Sequence, residues 1–127
     1  PALQHVTAGG TITAGMAVYK ASDGDYEAAD ADSADTDLVA GIAMNGASDG
    51  QPLAIAVDGT VINIGASTTA GTVYVAGSTD AGTANGTAGD INPVGDIGSG
   101  DYVSVLFVGS GSAQVTLDIN NSGVAIV

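Results

Sequence analysis

The chain has 127 residues, with 14 Asp and Glu against one basic side chain, Lys20, and a net charge of −13. A direct nucleic-acid partner is excluded, because displacing counterions from phosphates needs a Lys/Arg footprint, and an anionic membrane surface is excluded for the same reason. Cysteine is absent, so neither disulfides nor thiolate metal sites can hold the fold, which fits an intracellular origin or assembly on a partner.

Residues 1–10, PALQHVTAGG, are short, polar and unpatterned and read as an N-terminal arm or a first edge strand. They lack the basic region and long apolar stretch of a signal peptide, and the start at Pro1 reads as a processed end. His5 is the only histidine and has no acidic neighbour in sequence, so it reads as neither catalytic nor metal-ligating. Thr11-Ile12-Thr13 opens a single β domain over 11–127, and Ala14-Gly15 turns the chain into a strand over Met16–Lys20. A hairpin turn centred on Asp23-Gly24 leads to a return strand from Tyr26 to Ala29.

Asp30 to Asp37, DADSADTD, is the most acidic segment, and alternate carboxylates can converge on Ca²⁺. The EF-hand pattern fails, because its Gly and Glu positions hold Asp35 and Gly41, and the RTX nonapeptide is absent. The segment reads as a solvated loop. From Leu38 to Ile64 the spacing of two predicts three strands, around Leu38–Met44, Leu53–Val57 and Ile62–Ile64. Asn45 to Gly50 supplies the first turn, and Asp58-Gly59 predicts a type I′ hairpin. The expected arrangement is an antiparallel meander.

Gly65–Gly71 is a loop, Thr72–Ala76 a strand, and Gly77–Gly89 a long loop. Asp90–Val94 suits only a short edge strand, because Pro93 cannot donate to a ladder. Tyr102–Val108, YVSVLFV, is apolar on both faces and is expected to be buried on both, within the domain or against another subunit. Gln114–Asn120 alternates cleanly, with Val115, Leu117 and Ile119 inward. The apolar tail Val124-Ala125-Ile126-Val127 must pair into a sheet or dock on a neighbour. No window carries a helical stripe. The fold class is all-β: an antiparallel β-sandwich or barrel-like domain with short strands, long Gly-rich loops and extended termini.

The chain is also similar to itself. Thr13-Ala14-Gly15 and the strand after it match Thr69-Ala70-Gly71 and its strand, and Asp49–Val57 matches Ser99–Phe107, so two stacked, similar sheets are expected. Chemistry is sparse. Acid/base or nucleophilic catalysis needs a positioned base, and only His5 and Lys20 stand outside the carboxylates. Paired carboxylates of a glycosidase would lack sugar platforms, since aromatics are 4% of residues. No phosphate loop or GxSxG motif is present. The chain reads as a non-enzyme with no cofactor.

The order ITAGMAVYKASDG, VAGIAMNGASDGQPLAIAVDGTV, TAGTVYVAG, GDINPVGDIGSGDYVSVLFVG and VTLDINNSGVAIV resembles the capsid cement (head decoration) proteins of tailed bacteriophages, from about Ile12 to Val127. The resemblance implies a β-rich structural protein, made in the host cytoplasm, that docks on the outer surface of the virion capsid. Its implied partners are the major capsid protein and further copies of itself, with a homotrimer favoured. The contacts are expected at the chain ends, Pro1, Ala2, Leu3, Gln4, His5, Val6, Val124, Ala125, Ile126 and Val127, and removal of either end should leave the fold intact. The alternatives are a secreted or virion-surface β module, an adhesin or tail accessory domain, with Asp30–Asp37 holding Ca²⁺.

Overall fold

The computed structural model describes residues 3–30, 38–64, 67–76, 91–93 and 102–125. Among these residues there is no helix, and eleven strands follow in order: β1 (Leu3–Thr7), β2 (Ala17–Lys20), β3 (Tyr26–Ala28), β4 (Val39–Ala43), β5 (Pro52–Ala56), β6 (Val61–Asn63), β7 (Val73–Ala76), β8 (Ile91–Pro93), β9 (Tyr102–Val108), β10 (Gln114–Thr116) and β11 (Asn120–Ala125). They form antiparallel sheets ordered β1-β5-β4-β2-β3, β10-β6 and β11-β9-β7-β8. The expected all-β architecture is the one observed.

The five-stranded sheet is apolar on both faces because each face covers a different core. Val18, Tyr26, Ala43, Leu53 and Ile55 point into a first core with Ala8, Ile12 and the partly buried Val6. Their neighbours Ala17, Val39, Ile42 and Ala56 point the other way, into a second core shared with Ile62, Ala76, Leu106, Phe107, Val115 and Leu117. The sheet curls around the first core. After β1, Ala8 forms a parallel bridge to Tyr26 on the opposite edge, and the Gly9 amide donates to the Tyr26 carbonyl at 2.8 Å. The curl does not close into a barrel.

Two expectations need correction. The meander ends after two strands: β4 pairs with β5, but β6 leaves the sheet and pairs with β10. The turn is the cause. Thr60 N–H bonds the Val57 carbonyl at 3.1 Å, and among its central residues only Gly59 has positive φ. That pattern belongs to type II rather than to the type I′ turn that returns a strand onto its neighbour. The turn is held instead by the later chain, with Gly59 N–H on the Leu117 carbonyl at 2.8 Å and Ile119 N–H on Asp58 Oδ1 at 2.7 Å. The same bonds break Gln114–Asn120 into two elements. β10 pairs with β6, then Asp118 N–H crosses to the Leu106 carbonyl at 2.8 Å, and β11 runs beside β9.

The internal similarity is structural, with one realignment. Both Thr-Ala-Gly segments close with a bond from the residue after Gly to the Thr carbonyl, at 3.2 Å for Met16 to Thr13 and 3.1 Å for Thr72 to Thr69. Gly15 and Gly71 take positive φ at 94° and 80°. Each turn then docks on a central strand: Gly15 donates to Ala43 and Ala43 to Met16, as Gly71 donates to Gly109 and Gly109 to Thr72. The registers agree position by position. Ala17, Val18 and Tyr19 face Ile42, Gly41 and Val39 across a bulge, and Val73, Tyr74 and Val75 face Val108, Phe107 and Val105 across a bulge at the same place. The counterpart of β9 is therefore β4, not β5 as the Gly-led apolar match suggests, since that pattern is too common to fix register.

Strands β1–β5 make one unit and β6–β11 a second. β6 stands where β1 stands, since each leads into its Thr-Ala-Gly turn and pairs with the strand that follows the central one. Asn121 joins the units. Its Oδ1 accepts from Val39 N–H at 3.0 Å and its Nδ2 donates to the Val39 carbonyl at 3.1 Å, so one amide completes the start of β4. Asn121→Ala strands both groups and should lower stability by about 2 kcal/mol, read as a fall in urea midpoint with unchanged slope. Gly15→Ala and Gly71→Ala force a Cβ into the left-handed region, and each should cost about 1–2 kcal/mol. Nearly equal losses in the two variants would bear out the equivalence of the turns.

Candidate interaction surfaces

The N-terminal candidates fall on an edge strand. β1 pairs with β5 over five positions, from Leu3 opposite Ala56 to Thr7 opposite Pro52, and its other edge is the outer edge of the sheet. Leu3, Gln4, His5 and Thr7 are exposed and Val6 half-buried. Val6 packs on the first core, so removing this segment takes away a strand as well as a surface, and the expectation of an intact fold does not follow for it. Val124 and Ala125 lie in β11, at the edge of the four-stranded sheet, with Ala125 opposite Tyr102. Pro1, Ala2, Ile126 and Val127 lie outside the described residues, as do Asp32, Asp35 and Asp37 of the acidic segment.

The two ends thus occupy outer edges of two different sheets. An unpaired edge offers a row of backbone N–H and C=O groups to another strand. β1 carries no carboxylate, whereas β3 at the opposite edge holds Glu27 and follows the Asp23–Asp25 turn. Among the described residues, acidic side chains crowd the β3 edge and none lies on β1, whose chain meets β3 only past its end, at Ala8 and Gly9.

A surface that sequence reasoning missed lies on the second unit. An open groove of about 740 Å³ is lined by Val61, Val108, Ser110, Gln114, Thr116 and Asp118, among others. Val61 and Val108 are each 53% exposed, the highest values among the large apolar side chains of the described residues. The rim is fixed by hydroxyls. Buried Thr68 donates to the Ser112 carbonyl at 2.7 Å and accepts from Ser110 N–H at 3.0 Å, while Ser110 Oγ donates to the Gln114 carbonyl at 2.7 Å. A Cβ on Gly109 would collide with the Thr69 carbonyl, so the strand end is pressed onto the turn behind it. The signal was present in YVSVLFV. Burial on both faces was expected for the whole strand, but the bulge turns adjacent Leu106 and Phe107 into one core and leaves Val108 outside.

Among the described residues no group of three or more His, Cys, Asp or Glu is placed to hold a metal ion. No family model matches the chain, and no curated protein matches it.

Because Val61 and Val108 are half in water, their replacement should leave the fold alone. Val61→Asp and Val108→Asp should each keep stability within about 0.5 kcal/mol of the parent, measured by thermal melting with circular dichroism at a concentration low enough that every variant is a single chain. A large loss in either would mean that the groove wall belongs to the core.

Proposed function

We propose that the chain is a structural capsid decoration protein. It binds the outer surface of a tailed-phage head between major capsid protein subunits, acts as a homo-oligomer, with a trimer favoured, and stabilises the shell without catalysis. The observation that carries this reading is β1: a strand at the edge of its sheet, with no partner on its outer side over Leu3–Thr7 among the described residues and no carboxylate of its own, in a chain of net charge −13. A strand of a neighbouring subunit can extend the sheet there through main-chain bonds. The ordered segments from Ile12 to Val127 that resemble head decoration proteins supply the identity of that neighbour.

The charge suits the role. Free copies repel one another and stay soluble until they meet a neutral or basic surface. Binding energy comes from backbone pairing and from aliphatic contacts such as Leu3, which is 49% exposed, rather than from a pocket built for a small molecule.

The experiment is co-sedimentation of the purified chain with expanded, undecorated heads of the phage that encodes it. Saturable binding at a fixed ratio to the major capsid protein is the expected result, with Leu3→Asp binding more weakly while keeping the parent's far-ultraviolet circular dichroism spectrum. No binding to competent heads overturns the reading and favours a tail accessory domain or adhesin.

A further inference from the structure

We propose that copies of this chain associate head to tail, with β1 of one copy seated on the surface around Val108 of the next. The argument comes from how the two units of a single chain already meet. In the first unit the end of the central strand, Ile42–Met44, and the Ala14-Gly15 turn form one wall of a narrow cleft of about 230 Å³. The other wall is Ile62, Asn63 and Ile64, which are β6 and the residue after it. The leading strand of the second unit thus lies over the end of the first unit's central strand, and Ile62 and Ile42 share one core.

The second unit presents the counterpart of that surface, Val108–Ser110 beside Ala70 and Gly71, without a strand over it among the described residues. The difference in burial is large: Ile42 is 1% exposed and Val108 is 53% exposed. The strand that would complete the pattern is the counterpart of β6, which is β1, and this chain carries only one β1, already placed on its own first unit. A second copy supplies another. β6 covers the first unit while remaining paired with β10, so β1 can cover a neighbour while remaining paired with β5, and neither copy has to refold.

Charge favours the same pairing. The only ionisable side chain on β1 is His5, and the only one lining the groove is Asp118. In a chain with 14 acidic residues, these are surfaces that two copies can bring together without opposing carboxylates, where like charges would cost affinity. The contact joins two different patches, so it is heterologous and forms a ring when its rotation closes. The inference rests on the copy-to-copy part of the proposed function and adds to it the two surfaces that meet.

The test uses the full chain alone, without shells, so that a failure here is separate from a failure to bind heads. Mass is read by sedimentation equilibrium for the parent, for Leu3→Asp and for Val108→Asp, with Ser110→Arg as a second groove variant should Val108→Asp melt early. The parent is expected at a multiple of the 12.1 kDa chain, and each variant at the mass of one chain. An equimolar mixture of Leu3→Asp and Val108→Asp is expected to form pairs and nothing larger, because it retains one intact strand and one intact groove. A parent that stays a single chain at its highest soluble concentration overturns the proposal. So do folded groove variants that keep the parent's mass, and a mixture that remains single or regains full size.

Discussion

The structure depends on how closely its sheets can approach. With one Phe, no Trp and four Tyr, there is little bulk to fill a wide gap, and the shared core is built from Ala17, Ala29, Ala56 and Ala76 around Ile42, Leu106 and Phe107. Interiors tolerate few voids larger than a water molecule, so small side chains demand a short inter-sheet distance and glycine at the tightest crossings. Within the five-stranded sheet the packing is equally tight, since a Cβ at Gly41 of β4 would strike the Ala56 carbonyl of the adjacent strand β5. Phe107 is the exception in size. It is fully buried and stacks on Tyr74 with centroids 5.1 Å apart and planes 22° from parallel, so the single large ring takes the place where the opposed sheets leave room for it.

Much of the fold was legible because alternation and turn chemistry are local. The hairpin from β2 to β3 forms at Asp23-Gly24, with Gly24 at φ 92° and Asp25 N–H bonded to Asp23 Oδ1, and strands such as Tyr102–Val108 lie where the pattern put them. What escaped was whatever depends on distant partners. Asp58-Gly59 reads as a returning hairpin until Leu117 and Ile119 take its bonds. Asn121 looks like a polar residue ahead of a tail, yet it completes the backbone of Val39, a strand start 82 positions away. No periodicity in the sequence marks a bulge, so strict alternation puts Leu106 and Phe107 on opposite faces and leaves no reason for Val108 to be exposed.

The candidate surfaces divide in the same way. The chain ends were singled out as segments without a place of their own, and the described parts of both do lie at sheet edges. The groove at Val61 and Val108 could not be found this way, because valines in a β-rich chain ordinarily mean core. The comparison of two equivalent units places Val108 where Ile42 is buried, and the proposed head-to-tail contact accounts for that difference.

That asymmetry follows from joining two similar units in one chain. Each unit has a surface that receives a leading strand and a leading strand to offer. One junction is satisfied internally, by β6 over Ile42–Met44, and any finite tandem array leaves one receiver and one strand unused at its ends. Repeat proteins commonly blunt those ends with polar capping residues. Here the strand end carries Leu3 and Val6 and the receiving end Val61 and Val108, with Asp118 the one carboxylate among them against the several that crowd the Asp23–Glu27 hairpin. Net charge keeps free copies apart over most of the surface, while β1 carries no carboxylate and Asp118 is the one carboxylate lining the groove. In the proposed assembly these two places are where ordered association lowers the free energy, while charge repulsion over the rest of the surface opposes indiscriminate clustering.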